Sequence, residues 1–282
     1  MKIRKPAQAG AFYSGLGSSL KKEIEECFKH KLGPGRLPQT RQDSLTGIVA
    51  LVCPHAGYMY SGPVAAAAYS ELAGHGRPDR IVIIGPNHTG MGSGVSLMCE
   101  GRWATPLGEV QIDSVTASSI LENAPIIDLD EKAHLYEHSI EVQLPFLQYL
   151  YGDTFTFVPI CMMIQDLQTG REVGGAIAKV AGESGSLVIA SSDMTHYEPH
   201  EIASKKDMKA IKAIEKLDEL ALDEAVTSES ISICGVGPVI AAMAYAKKRG
   251  SKSARLLSYR TSGDASGDYS SVVGYAAISF SV

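Results

Sequence analysis

Short hydrophobic runs that stop at a turn are the clearest pattern along the chain. One run starts at Ile48 and ends at His55, and a second starts at Arg80 and ends at His88. A third run of the same kind covers Ser186 to Ser191. Unbroken runs rich in β-branched residues and bounded by turns are typical of strands buried on both faces of a parallel sheet.

Segments with helical spacing of apolar residues separate these runs, and further short runs follow them. The pattern predicts helices over Leu20 to Leu32, Val64 to Leu72, Ser114 to Leu121, His138 to Tyr151, Gln168 to Ala181, Ile202 to Ala225 and Pro238 to Lys248. It predicts a small β excursion at 95–112 and strands at Phe155 to Ile160, Leu256 to Tyr259 and Val272 to Ser281. This order of elements predicts an α/β fold with a mixed, mostly parallel central sheet flanked by helices. No linker divides the chain, so we expect a single domain over residues 1–282.

Two prolines bear on the ends of these helices. We expect Pro63 in the first turn of the helix that Ser61 and Gly62 open, because a first-turn proline has no hydrogen bond to lose. We expect Pro145 to distort the helix predicted from His138.

Composition describes an ordinary globular protein and excludes several functions. Hydrophobic residues make up 45% and charged residues 20% of the 282 residues, and the net charge is −5. No strong cluster of Lys and Arg indicates nucleic-acid binding. No apolar run approaches the roughly 20 residues that cross a bilayer, and the N-terminus lacks the apolar core of a signal peptide. We therefore expect a cytoplasmic protein. The five cysteines are scattered without a CxxC pair, so neither a zinc ribbon nor a disulfide framework is indicated.

His55 and His88 are the first candidates for chemistry. Both follow predicted strands, and ligands of open α/β sheets collect beyond the carboxyl ends of such strands. Neutral imidazole is a common ligand of zinc, iron, copper and nickel. A metal or catalytic site is therefore the leading hypothesis, although each histidine can instead cap its turn through a backbone hydrogen bond.

Further polar groups lie near other predicted element ends. Asp193 and His196 follow the strand Ser186 to Ser191, where Asp193 can orient an imidazole or cap the next helix. His138 and Glu141 share a face of the predicted helix, either as metal ligands or as a polar helix start. Cys234 precedes a helix whose positive end favours a thiolate, so it is either a nucleophile, a soft metal ligand or a small buried residue.

Five ordered motifs resemble the Memo family, whose prokaryotic branch is called AmmeMemoRadiSam system protein B. They are Pro54-His55-Ala56-Gly57-Tyr58, Gly85-Pro86-Asn87-His88, Glu137-His138-Ser139-Ile140-Glu141, Ser191-Ser192-Asp193-Met194-Thr195-His196 and Ile233-Cys234-Gly235. The resemblance runs from about residue 4 to the C-terminus, and it implies a fold similar to class III extradiol dioxygenases, which are non-haem iron enzymes.

The resemblance also implies roles for the residues in these motifs. His55 and His88 match the metal-binding histidines of the dioxygenases, and His196 matches their acid/base histidine. Cys234 falls where those enzymes need a carboxylate ligand, and a thiolate shifts the preference towards zinc, copper or a differently tuned iron. Asp193 would act with His196 by orienting a group of the site. Tyr58, His138 and Glu141 are expected to line the pocket or to support the metal ligands.

The resemblance leaves more than one function open. The first is a metal-dependent oxidoreductase, with iron as the expected metal and copper or zinc as alternatives. The second is a binding module that uses the ancestral cleft as a metal store or as a docking pocket for a peptide or protein. Prokaryotic members resemble partners of a radical-SAM protein, which makes such proteins the expected partners. A third and weaker hypothesis is a cysteine hydrolase that uses Cys234 with His196.

Overall fold

Four buried parallel strands form the centre of the fold. The structure is a computed structural model that describes residues 2–182 and 185–282. Its strands are β1 (Ile3–Arg4), β2 (Ile48–Cys53), β3 (Arg80–Pro86), β4 (Val95–Leu97), β5 (Arg102–Thr105), β6 (Gly108–Ile112), β7 (Asp128–Leu129), β8 (Thr156–Met162), β9 (Ser186–Ser191), β10 (His196–Glu198), β11 (Ala254–Thr261) and β12 (Val272–Ser281). The central four are β8, β3, β9 and β2 in that spatial order.

Helices connect these strands and cover the sheet. They are α1 (Gly17–Lys29), α2 (Tyr58–His75), α3 (Ser114–Asn123), α4 (Leu144–Tyr151), α5 (Leu167–Val180), α6 (His200–Glu215), α7 (Glu219–Ser228), α8 (Val236–Lys248) and α9 (Ser262–Ser266). Two short 3₁₀ helices cover Lys132–His134 and Glu141–Gln143. Within the described ranges, no helix is both long enough and apolar enough to cross a membrane.

The sheet is mixed, because its central strands pair in parallel and antiparallel pairs flank them on both sides. Its order is β1-β5-β6-β8-β3-β9-β2-β12-β10, with β11 paired to β12 and β4 paired to β7 and β8. Pairing is parallel from β6 to β2, whereas β12 runs antiparallel to β2, β10 and β11. The predicted α/β class and mixed, mostly parallel sheet are confirmed. That residues 1–282 form one domain stays a prediction.

Helix α2 begins six residues earlier than the pattern predicted. It starts at Tyr58, so Pro63 lies inside the helix and not in its first turn. The first turn closes through the Ser61 amide, which donates to the Gly57 carbonyl at 3.1 Å. Pro63 removes one further bond of this ladder, a loss that a helix buried along much of its length tolerates. The early start brings the first turn of α2 directly after the loop that carries His55.

The segment from His138 to Tyr151 is not one helix. The 3₁₀ helix Glu141–Gln143 precedes α4, which begins at Leu144 and holds Pro145 in its first turn. Proline fits a first helical turn but clashes in a helix interior, so a regular helix cannot start as early as His138. The prediction that His138 and Glu141 share a helix face is therefore wrong.

The helix predicted from Ile202 to Ala225 is also divided in two. Helix α6 ends at Glu215, and Leu217 adopts a left-handed conformation with φ +56°. Asp218 then caps α7, because its side chain accepts a hydrogen bond from the Ala221 amide at 3.0 Å. Apolar spacing continues through this break, and for that reason periodicity alone did not show it.

Two neighbouring glycines in α5 provide a test of how α5 holds α8 in place. A Cβ added at Gly174 would collide with the Ala241 carbonyl oxygen of α8, whereas one added at Gly175 would meet nothing within 4 Å. We expect Gly174→Ala to lower the free energy of unfolding by about 1–3 kcal/mol through overpacking. Gly175→Ala should raise it by about 0.5–1 kcal/mol, because alanine loses less entropy in a helix. Urea denaturation of both variants measures the difference, and equal effects would contradict the close packing of the two helices.

Candidate metal centre

Three histidines meet at the carboxyl ends of the central strands. His55 follows β2 and His88 follows β3, and both strands pair in parallel with β9. His138 reaches them from the turn before the 3₁₀ helix Glu141–Gln143. One ligand nitrogen from each of the three side chains lies within 4.8 Å of the others. We call His55, His88 and His138 the histidine cluster.

The buried carboxylate of Glu137 organises two members of this cluster. Its Oε1 accepts a hydrogen bond from His88 Nδ1 at 2.9 Å, and its Oε2 accepts one from the His88 amide at 2.6 Å. The same Oε1 accepts the amides of His138 and Ser139. Since Nδ1 of His88 is engaged, Nε2 is the nitrogen left for a metal.

Electrostatics keep Glu137 ionised. Burial by itself raises the pKa of this carboxyl, but the hydrogen bond from His88 and the charges of His88 and His138 outweigh it and lower the pKa to about 2. An ionised carboxylate behind a metal-binding imidazole makes that imidazole a stronger ligand. Sequence reasoning did not single out Glu137, although its place directly before His138 was visible.

His55 is the most enclosed member of the histidine cluster, with 2% of its surface exposed. Its Nδ1 lies 2.9 Å from Ser191 Oγ and its Nε2 lies 3.1 Å from Cys234 Sγ. Burial, followed by the charges of His138 and His88, lowers the pKa of His55 well below its usual value. Burial likewise lowers the pKa of His138 to about 4. Both rings are therefore neutral at physiological pH, which is the form that binds metals.

Cys234 lies beside the histidine cluster, in surroundings that favour its protonated thiol. It directly precedes Gly235, the residue that caps α8, and its Sγ accepts a hydrogen bond from the Asp193 amide at 3.2 Å. Burial and the charge of Asp193 nevertheless raise the pKa of the Cys234 thiol. Desolvation thus outweighs the helix end and favours the protonated thiol in the metal-free protein. A role of Cys234 as metal ligand or nucleophile stays a prediction.

Asp193 and His196 flank the site on the side of β9. Asp193 Oδ1 accepts the His55 amide at 2.8 Å, and burial raises the pKa of this carboxyl. His196 Nδ1 donates to the Ser232 carbonyl at 2.9 Å, so its Nε2 is the nitrogen able to exchange a proton. The charge of His196 lowers the pKa values of both His55 and Asp193. Catalytic roles for Asp193 and His196 stay predictions.

Tyr58 and Glu141, predicted to line the pocket, direct their polar groups elsewhere. The Tyr58 hydroxyl donates to the Val142 carbonyl at 2.7 Å. Both oxygens of Glu141 accept hydrogen bonds from residues 2–15, which we call the N-terminal segment. That segment still reaches the site, because Phe12 packs edge-on against His138 with ring centroids 4.8 Å apart.

The donor set fits a metal ion. Three imidazoles converge, and the Nδ1 atoms of two of them are held by Ser191 and Glu137. Orientation of the ring through its second nitrogen is the usual arrangement around metal-binding histidines. Sequence reasoning placed His138 at the pocket and Cys234 among the ligands, whereas the converging nitrogens are those of His55, His88 and His138. The assignment of His55, His88 and Cys234 as the ligand set stays a prediction.

His134, a fully buried histidine outside the cluster, makes stability sensitive to acid. Its ring packs against Trp103 with centroids 5.7 Å apart, and burial, followed by the charge of Arg4, lowers its pKa from 6.5 to about 4. The unfolded chain then binds a proton that the native state excludes. The contribution of neutral His134 to the free energy of unfolding is fully present above pH 6.5. It falls by about 3 kcal/mol as the pH drops towards 4.

We expect His134→Phe to remove that part of the pH dependence while it keeps an aromatic ring against Trp103. Denaturant unfolding at several pH values between 4 and 7.5 measures the slope. The exposed His30 provides the control, because His30→Gln should leave the slope of the original protein unchanged. An unchanged slope in His134→Phe would contradict the assignment.

The fold and site together define an α/β protein with a histidine cluster at the carboxyl edge of its parallel strands. The chain matches the model of Memo-like proteins over residues 4–279. It is 54% identical to a MEMO1 family protein of Methanopyrus kandleri over 279 residues, with 98% of each chain covered. It is 52% identical to a MEMO1 family protein of Methanocaldococcus jannaschii over 285 residues, again with 98% of each chain covered. The protein belongs to the Memo family.

A solved structure shows the same fold in a distant sequence. An uncharacterized protein from Escherichia coli K12 superposes with a TM-score of 0.54 at 15% identity, covering 82% of this chain and 99% of that one. At this level of identity the likeness concerns the fold alone.

Proposed function

We propose that the protein binds one metal ion at the histidine cluster and uses it for redox chemistry on a small molecule. The observation that carries the proposal is the convergence of three imidazole nitrogens within 4.8 Å. Imidazole donors suit iron, copper and zinc. The similarity of the Memo family to class III extradiol dioxygenases favours iron, with copper and zinc as the alternatives.

The surrounding residues support a site that activates a substrate. When bound, a redox metal supplies electron transfer and polarises a coordinated oxygen atom. Glu137 and Ser191 hold the rings of His88 and His55, while Asp193 holds the backbone of the His55 loop. His196 has Nδ1 fixed on the Ser232 carbonyl, which leaves Nε2 to accept or deliver a proton.

A second candidate function is metal binding without catalysis, as a store or as a docking module for a peptide or for protein partners of a radical-SAM system. The thiol of Cys234, 3.1 Å from His55 Nε2, favours this candidate. A soft donor beside imidazoles binds copper or zinc well and replaces the carboxylate that ring-cleaving iron enzymes use.

Metal analysis of anaerobically purified protein tests the proposal and separates the candidates. The same protein is then mixed with Fe(II) and a catechol, and both the visible spectrum and oxygen uptake are recorded. Near-stoichiometric iron with a catecholate charge-transfer band or oxygen uptake supports the redox function. Bound copper or zinc without oxygen uptake supports the binding function, and absence of any bound metal overturns both.

A further inference from the structure

We propose that Ser191, held by Gln143, is a positioning residue that sets the tautomer of His55 and thereby presents Nε2 to the metal. The proposal rests on the proposed metal-binding function, and it adds two residues whose side chains no motif match assigns to that site. The hydrogen bonds around the Ser191 hydroxyl determine which nitrogen of His55 carries the hydrogen.

The Ser191 hydroxyl has one hydrogen and three polar neighbours. Its Oγ lies 2.6 Å from the Ser139 carbonyl oxygen, which can only accept, so the hydroxyl hydrogen is donated there. Towards His55 Nδ1, 2.9 Å away, the same oxygen can then act only as an acceptor. Nδ1 of His55 must therefore carry the ring hydrogen, and Nε2 must carry the lone pair.

Gln143 occupies the remaining position on this hydroxyl. Its Nε2 donates to Ser191 Oγ at 2.8 Å and to the Pro54 carbonyl at 3.0 Å. Its Oε1 accepts the Tyr69 hydroxyl at 2.8 Å. A carbonyl on one side and a hydroxyl on the other fix which end of the amide is nitrogen. The amide hydrogen of Gln143 thus occupies a lone pair of Ser191 and prevents the hydroxyl from turning towards Gln143.

Burial makes the hydrogen bonds of Ser191 and Gln143 costly to break. Ser191 and Gln143 are 0% and 1% exposed, respectively. Breaking one of these bonds would leave a polar group without a partner in a medium of low dielectric constant. Ser191 is the last residue of β9 and lies in register with Cys53 at the end of β2. The network therefore spans the strand ends that carry the site.

With its hydrogen on Nδ1, His55 has a free lone pair on Nε2 for a metal. The opposite tautomer would place a hydrogen on Nε2 and block coordination from that atom. His88 reaches the same tautomer by another route, because Glu137 accepts its Nδ1 hydrogen. One imidazole is thus backed by a carboxylate and the other by a neutral hydroxyl, so His55 gains orientation without added negative charge.

The first experiment is nitrogen NMR of the metal-free, ¹⁵N-histidine-labelled protein, with the His55 signals assigned by comparison with His55→Gln. We expect a protonated Nδ1 and an unprotonated Nε2 in the original protein. Ser191→Ala should convert His55 into a mixture of tautomers. Ser186→Ala is the matched control, because Ser186 is a buried serine at the opposite end of the same strand and donates to the Ala181 carbonyl.

The second experiment measures binding of Zn²⁺ by competition with a chelator. We expect Ser191→Ala to weaken Zn²⁺ binding by about 10- to 100-fold, as is usual when a residue that orients a metal-binding histidine is lost. Ser186→Ala should bind as tightly as the original protein. Gln143→Met removes the amide but keeps a chain of similar length, and we expect a smaller loss together with a partial change of tautomer.

The outcomes separate this proposal from the metal-binding function. A protonated Nε2 on His55 of the original protein, or Zn²⁺ affinity and tautomer both unchanged in Ser191→Ala, would overturn the proposal. If Ser191→Ala does not fold, the tautomer of the original protein and of Gln143→Met decides it. Failure of the original protein to bind any metal would remove the proposed function, while the NMR result still reports on the role of Ser191.

Discussion

Replacing His55 with alanine should abolish tight metal binding while the protein stays folded. Residues that merely orient a metal-binding histidine contribute about 10- to 100-fold in affinity, so we expect loss of a ligand to exceed 100-fold. His55 belongs both to the histidine cluster and to the set predicted from the motifs, and its Nε2 lies 3.1 Å from Cys234 Sγ. Metal content after purification and a chelator competition with Zn²⁺ measure the loss, and far-ultraviolet circular dichroism checks the fold.

The control for this prediction is His30→Ala, which removes an exposed histidine at the end of α1. It should leave metal content and affinity unchanged. A His55→Ala protein that still binds one metal ion per chain with the original affinity would refute the assignment of the site.

Three variants identify the third ligand. The converging nitrogens include His138, so we expect His138→Ala to lose about as much affinity as His88→Ala. Cys234→Ser should keep stoichiometric binding, because the Cys234 sulfur is not among the converging ligand atoms of the histidine cluster. The reverse ranking would establish His55, His88 and Cys234 as the ligand set.

Replacing Glu141 with alanine should cause a large loss of stability. The Glu141 carboxylate forms a buried ion pair with Arg4 and accepts hydrogen bonds from the Tyr13 hydroxyl and from the amides of Ala7 and Gln8. Its removal leaves the Arg4 guanidinium buried without its counter-charge. Breaking a buried pair in this way costs about 3–5 kcal/mol. Guanidinium denaturation at neutral pH measures the change in the free energy of unfolding.

The matched control is the ion pair of Lys2 with Glu131, which joins the same N-terminal segment to the same part of the chain. The Lys2 and Glu131 side chains are 61% and 32% exposed, and pairs of this kind contribute at most about 1 kcal/mol. Glu131→Ala should therefore be nearly neutral. Equal losses in the two variants would mean that Glu141 does not anchor the N-terminal segment. Because Phe12 of this segment packs on His138, Glu141→Ala should also weaken metal binding, by less than loss of a ligand does.

The local pattern of apolar residues was sufficient to predict the bounds of some strands but not the bounds of several helices. The strands β9 and β12 match their predicted ranges, because continuous apolar runs between turn residues have few other stable solutions. The break between α6 and α7 was missed, because apolar spacing continues through Leu217 and Asp218. Helix α2 also starts before Pro63, because the amide of its first residue, Tyr58, donates a hydrogen bond to the carbonyl of Phe12, which is distant in sequence.

The sequence by itself determined that His55 and His88 would meet, because both follow buried parallel strands and such strands end at one edge of a sheet. Only the tertiary structure decided that His138 joins them, that Glu141 turns to Arg4, and that Ser191 faces the ring of His55. His138 lies on irregular backbone and Glu141 begins a 3₁₀ helix of a single turn, so no extended periodicity fixes the direction of either side chain. The contacts of Glu141 with Arg4 and of Ser191 with His55 join residues more than 130 positions apart in the chain. Hydrogen-bond partners of this kind follow from packing in three dimensions, which local residue order does not encode.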